Sequence, residues 1–320
     1  MLRHCHLLSC GLVLLLAACG RGPSTPANAP VASPAKTVSP GGPAVKVETG
    51  STSAPVPAET DRRTIAALMR SAFGARYDAA REAAFADLPE PSDRGAMLRH
   101  VVTGEGFVRL GDGQTLLVAN ANPADAEDEP IVSHASGGRL NLYWLRQEQG
   151  GWTLQHKEEN ILETGSHGGL GQVKSVRFAP AQTALAIESG GTWQGYTAIS
   201  LLLFDVQANG MRALTEDPIR LHSDNQGACS PEMARCWAAD ATWEFAAAPA
   251  AADPARPAYP DLLLRFAGDA SDLISPAAST PADGSQEPPR RVTKIAGEAV
   301  YRFKDGAYVL IRGENLVPEI

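Results

Sequence analysis

Several things are scarce or missing in this chain of 320 residues, and each shortage excludes a class of answer. No apolar run approaches the roughly 20 residues a membrane-spanning helix needs. No basic patch or arginine-rich run interrupts a formal charge of -8, so nucleic acid is not an expected partner, nor is electrostatic attraction to anionic lipid headgroups. A moderate negative charge argues mainly for solubility. The nucleophile elbow, the phosphate loop, the zinc helix and the EF-hand loop are all missing. Their absence weighs against metallopeptidases and α/β-hydrolases. It says little about glycosidases, whose carboxylates keep no fixed spacing. No cofactor is implied. Cysteine is scarce too, with five in the whole chain.

What is present begins at the amino terminus. Arg3 supplies a positive n-region, Leu12 to Leu16 an apolar h-region, and Ala17 and Ala18 are small enough for a protease pocket ahead of Cys19. The segment Leu16-Ala17-Ala18-Cys19 resembles the lipobox of bacterial lipoproteins. That resemblance implies cleavage before Cys19, a diacylglyceryl thioether on its sulfur and an acylated amino terminus. The expected partner is then the membrane, through lipid on Cys19. One acyl chain holds a protein marginally, at roughly 0.8 kcal/mol per buried methylene, and several hold it stably. Gly20 stands where an aspartate would signal inner-membrane retention. By the family's sorting habit this points to the outer membrane, facing the periplasm or the cell surface. Loss of residues 1–18 removes one arginine and takes the charge from -8 to -9.

Cys5 and Cys10 leave with the signal and Cys19 is spent on lipid, which leaves Cys229 and Cys236. In an oxidising compartment an even pair is expected to form a disulfide, closing a loop of about eight residues. The spacing is not C-x-x-C, and the stretch offers too few further ligands for a metal.

The chain divides into a signal (1–18), a lipidated cysteine and linker (19–60), a helical segment (61–91) and a β-rich globular domain (92–320). The linker is dense in Pro, Ala, Ser and Thr and nearly devoid of large apolar residues, so it cannot bury enough surface to offset ordering entropy. Asp61 to Leu88 reads as helix: Ile65, Leu68, Met69 and Ala72 recur at helical spacing, as do Tyr77, Ala80, Ala84 and Phe85. Thr60 or Asp61 can cap it, Gly74 can divide it, and Pro89 and Pro91 end it. Arg62, Arg63, Arg70, Arg76 and Arg81 make it basic, with the arginines expected in solvent.

From about Gly104 the signals are those of strands, in three four-strand units. The first runs through Phe107 to Leu110, Thr115 to Ala119, Leu140 to Leu145 and Trp152 to His156. The second runs through Val173 to Phe178, Ala184 to Ser189, Ala198 to Val206 and Met211 to Leu214. The third runs through Ala241 to Phe245, Asp261 to Phe266, Ala299 to Phe303 and Ala307 to Ile311. Gln149-Gly150-Gly151, Asn209-Gly210 and Asp305-Gly306 turn the hairpins, and the last two suit a type I′ turn. The expected fold is mainly β: antiparallel meanders, propeller-like or sandwich, with a short N-terminal helical segment. Two stretches, 249–260 and 275–289, read as surface excursions.

Candidate chemistry is thin. In Gly165-Ser166-His167-Gly168-Gly169-Leu170-Gly171, glycine lets backbone amides approach an anion, while Ser166 and His167 add donors. The loop between Glu188 and Tyr196 presents Trp193 and Tyr196, which can stack on a sugar or a protein partner. His134, His167 and His222 read as loop residues that could meet on a metal, and Asp125, Glu127, Asp128 and Glu129 as a calcium-like cluster. In both cases exposed, solvated side chains are the plainer reading, and no metal site is assigned. No catalytic residues are assigned either. The expected function is a non-enzymatic binding or assembly module of the cell envelope, with an envelope protein or glycan as partner. The alternative is a hydrolase acting on envelope glycans or peptides.

Overall fold

The fold is that of a computed structural model, which describes residues 59–90, 93–179, 182–246, 259–274 and 289–320. The lipobox with Cys19, the linker and most of both surface excursions lie outside the described residues.

Helix α1 (Glu59–Phe73) starts ahead of its expected cap, so that the Thr64 hydroxyl donates to the Thr60 carbonyl inside it. It lays Leu68, Met69 and Phe73 into the core. Gly74, at φ +58°, ends it. The expected continuation of helix to Leu88 is not realised: after a single 3-10 turn come strands β1 (Tyr77–Asp78) and β2 (Ala83–Glu90). Asp78 Oδ1 accepts the N–H groups of Ala80 and Arg81, and Glu82 adopts φ +51°, which together reverse the chain. Ala84, Ala86 and Leu88 then face the core at a spacing of two. An alanine-rich stretch satisfies both periods, and pairing with the next strand decides for β.

That next strand is β3 (Asp93–Arg109), followed by β4 (Gln114–Pro123), β5 (Gly138–Glu148), β6 (Gly151–Glu158) and β7 (Glu163–Thr164). Sheet 1 is the antiparallel meander β1 through β6, with β7 on β5. Its central strands β4 and β5 are covered on both sides. Leu117, Ala119, Tyr143 and Leu145 face α1, while Leu116, Val118, Leu142 and Trp144 face the second sheet. This explains their near-continuous apolar runs.

The second sheet comprises β8 (Gln172–Ala179), β9 (Gln182–Trp193), β10 (Tyr196–Gln207), β11 (Gly210–Ala213), β12 (Ile219–Asp224), β13 (Arg235–Phe245), β14 (Leu262–Leu273), β15 (Arg290–Lys304) and β16 (Ala307–Arg312). They run in the order β16-β15-β14-β13-β12-β10-β9-β8, with β11 on β10. Leu185, Ile187, Phe204 and Val206 pack on sheet 1, and Trp144 Nε1 donates across the interface to the Gln207 carbonyl at 2.8 Å. The opposite faces of β9 and β10 present Ala184, Ala186, Leu201 and Leu203 to a second core, shared with Leu262, Leu264, Phe266, Ala299 and Tyr301. Sheet 2 therefore folds over itself. The hinge line is β12–β13, which pair only at His222–Asp240, Ser223–Ala239 and Asp224–Ala238. Past Asp240 the two strands part and enclose the core between two layers.

All twelve expected strands are present and antiparallel, but not as three blades. The second and third units merge into one sheet, and neither sheet closes into a barrel. The hairpin turns fall where expected. Only Asp305 (φ +54°) and Gly306 (φ +105°) have both central residues at positive φ; Asn209 does not.

Candidate functional site

Strand pairing puts three aromatic residues on one face of sheet 2. Directly paired residues of antiparallel strands, and residues two apart on one strand, share a face. Trp193 pairs with Tyr196, Ala198 with Gly191 and with Ser223, and Ser223 with Ala239, two residues from Trp237. Tyr196 and Trp237 rings lie 6.2 Å apart, and Trp237 Nε1 donates to Ser223 Oγ at 2.8 Å. Farther along β9 and β10 this same face carries the residues that pack on sheet 1. Here, beyond that contact, Trp193 is 38 % exposed while Tyr196 and Trp237 are half-buried.

The glycine loop borders this platform. A methyl group built on Gly191 would lie 2.9 Å from both Ser166 Oγ and the Cη2 carbon of Trp193, so the two expected features meet over that glycine. Ser166, His167, Trp193 and Tyr196 thus belong to one region. The loop is not an anion cradle, however. The Gly168 amide donates to the Ser136 carbonyl (2.8 Å) and the Gly169 amide to the Ser166 carbonyl (2.9 Å). The Gly168 carbonyl accepts from the side chains of Asn120 (2.7 Å) and Asn122 (3.0 Å). Its glycines serve a close crossing between the sheets: Gly171, at φ +91°, runs against the backbone of Glu188 and Ser189. Ser166 Oγ and His167 Nδ1 are 3.4 Å apart, too long for an activated nucleophile.

Sequence reasoning missed Trp237, which reaches the platform from another hairpin. It follows directly on Cys236, which forms a disulfide with Cys229, their Cα atoms 5.7 Å apart. Buried Asn225 works beside it, accepting the Trp237 N–H (2.8 Å) and donating to the Arg235 carbonyl (2.9 Å).

On the opposite face, where β12 and β13 part, lies a cavity of about 550 Å³. Ile199, Leu221, Ala241 and Trp243 give it apolar walls; Lys174, Glu188, His222, Asp240 and Thr242 give it polar ones. Glu188 Oε1 accepts both the Trp243 indole N–H (2.7 Å) and the Lys174 ammonium (2.6 Å). His222 Nδ1 lies 2.7 Å from Asp240 Oδ1, and its Nε2 lies 2.9 Å from Asp224 Oδ2. His222 is therefore a strand residue held between carboxylates, not the loop histidine expected.

The acidic run is engaged by the arginines of the segment that precedes it. Arg99 binds both carboxylate oxygens of Asp128 and Arg81 pairs with Glu129, while both guanidiniums flank the Phe85 ring. The hydrogen bond from Arg99 holds the Asp128 carboxyl below the usual carboxylate range. Among the described residues no group of three or more His, Cys, Asp or Glu is placed to hold a metal ion, and no helix is long and apolar enough to cross a membrane.

No family model, no curated protein and no solved structure matches this chain. Its class therefore rests on its own geometry: a mainly β protein of two packed antiparallel sheets with one covering helix.

Proposed function

We propose that this chain is a lipid-anchored protein of the bacterial envelope that binds cell-wall glycan on the Trp193–Tyr196–Trp237 platform. The observation that carries the reading is the placement of those three aromatic residues on one stretch of sheet face, beyond its packing against sheet 1. Flat aromatic faces pack against the C–H faces of sugars, and the hydroxyl of Ser166 and the imidazole of His167 at the border suit sugar hydroxyls. The anchor on Cys19 and the linker behind it supply the reach.

Binding is favoured over hydrolysis because, among the described residues, neither His222 nor His167 is poised as a base. Both ring nitrogens of His222 face carboxylates, and the Ser166–His167 contact is long. The test is retention on isolated peptidoglycan sacculi. The double variant Trp193→Ala/Tyr196→Ala is expected to lose at least about tenfold of that retention, with an unchanged melting temperature. Undiminished retention overturns the glycan reading. For the anchor, Cys19→Ala is expected to abolish incorporation of radiolabelled palmitate and to release the chain from membranes.

A further inference from the structure

We infer that the cavity at the β12–β13 fork is a second binding site, for a small organic ammonium ion with an apolar body, and that Lys174 is the built-in occupant which the ligand displaces. The inference does not rest on the glycan platform, which lies on the other face of the sheet.

Three observations converge. The cavity, at about 550 Å³, has the size of a small-molecule site, and its polar groups surround apolar walls. Its charge is unbalanced. Glu188 and Asp240 line it and Asp224 stands behind His222, against the single ammonium of Lys174, so carboxylates outnumber cations even with a doubly protonated His222 ring.

The third observation is the position of Lys174. Its Nζ sits 2.6 Å from Glu188 Oε1 and 5.8 Å from the centre of the Trp243 ring. A carboxylate and an indole face meeting one ammonium is the arrangement by which proteins hold organic cations. Trp243 is fixed for this role because its own N–H donates to the same Glu188 oxygen. Lys174 is the more exposed partner. It projects from β8, an edge strand paired only with β9, and its side chain is 42 % exposed. A ligand ammonium can take its place on Glu188 and Trp243, leaving the ligand's apolar part against Ile199, Leu221 and Ala241, while the Lys174 ammonium moves into water.

Titration calorimetry of the purified full chain with phenethylamine tests this, with phenylacetate as the anion of the same ring. The amine is expected to bind and the acid not to. Lys174→Met keeps the aliphatic stem, removes the competing charge and is expected to tighten amine binding about tenfold. Lys294→Met makes the same charge change at a residue that does not line the cavity and should leave the affinity alone. Glu188→Gln is expected to weaken binding about tenfold, with circular dichroism as the check that the fold is kept. Trp193→Ala/Tyr196→Ala should bind the amine normally, which separates this site from the platform. Equal affinity of Lys174→Met and the unaltered chain, equal binding of phenylacetate, or no binding of the amine by either protein overturns the inference.

Discussion

His222 and Asp240 face each other across the shortest strand junction in sheet 2, with Nδ1 2.7 Å from Oδ1, where three residue pairs join two layers that then separate. The other ring nitrogen meets Asp224 at 2.9 Å. A carboxylate only accepts hydrogen bonds, so a doubly protonated ring donates to both. Replacing His222 with Ala removes both contacts and leaves two carboxylates facing a gap. We expect a loss of about 1–3 kcal/mol in urea unfolding. Asp240→Asn should cost less, because Asp240 is 67 % exposed and its pairing is screened by water. No loss in either variant would place the importance of the junction in the backbone pairs instead.

Strand positions were legible in the sequence because they depend on short-range pattern. The runs Leu140 to Leu145 and Ala198 to Val206 are apolar enough to announce themselves, and Asp305-Gly306 announces its turn. The segment Ala83 to Leu88 was not legible, because alanine carries no preference strong enough to tell period two from period 3.6. The site was half legible. Trp193 and Tyr196 stand out because aromatics in a glycine-rich turn have no core to fill. Trp237 sits in an ordinary strand pattern, and only the pairing of Ser223 with both Ala198 and Ala239 brings it to them. The fork cavity was invisible, since no local pattern records where two strands stop pairing.

His100 makes stability depend on pH. It is fully buried; its Nδ1 bonds the Leu98 carbonyl at 2.7 Å and its Nε2 meets the Arg139 guanidinium at 3.1 Å. Burial pushes its pKa below the ordinary 6.5 and the Arg139 charge adds to this, while the Leu98 carbonyl and the charges of Glu90 and Asp87 oppose both. A histidine depressed in the folded state binds its proton more readily when unfolded. Its contribution is therefore complete above pH 6.5 and is lost as pH falls from there through the folded pKa. Urea midpoints between pH 8 and pH 5 should fall on the acid side, and His100→Gln, which cannot titrate, should flatten that decline. An unchanged slope in the variant would assign the acid sensitivity to other groups.

The disulfide should affect function as well as stability. Opening the eight-residue loop by Cys229→Ser/Cys236→Ser is expected to cost about 2.5 kcal/mol. It also loosens the segment that Asn225 holds against Trp237, so retention on sacculi should fall even below the melting transition. Reduction of the unaltered protein with dithiothreitol should reproduce both effects. A stability loss with full retention would mean that the Asn225 bonds alone position Trp237.

Gly191 offers a further test of the platform, because a single methyl group there presses on the Trp193 indole and on the Ser166 loop together. Its backbone is not at positive φ, so alanine carries no conformational strain at this position. The added carbon would lie 2.9 Å from Ser166 Cβ and Oγ and from Trp193 Cη2, tighter than van der Waals contact allows. Both must give way, because relieving one contact leaves the other. Trp193 is 38 % exposed at a hairpin end, while the Ser166 loop is tied through Gly168 to Ser136, Asn120 and Asn122, so the indole should move the farther of the two. Gly191→Ala should therefore lose about 1–3 kcal/mol in urea unfolding and bind sacculi several-fold more weakly, with a changed tryptophan fluorescence. Normal retention with an altered emission spectrum would mean that the ring moves freely in the bound state, and the platform would then have to be drawn without Trp193.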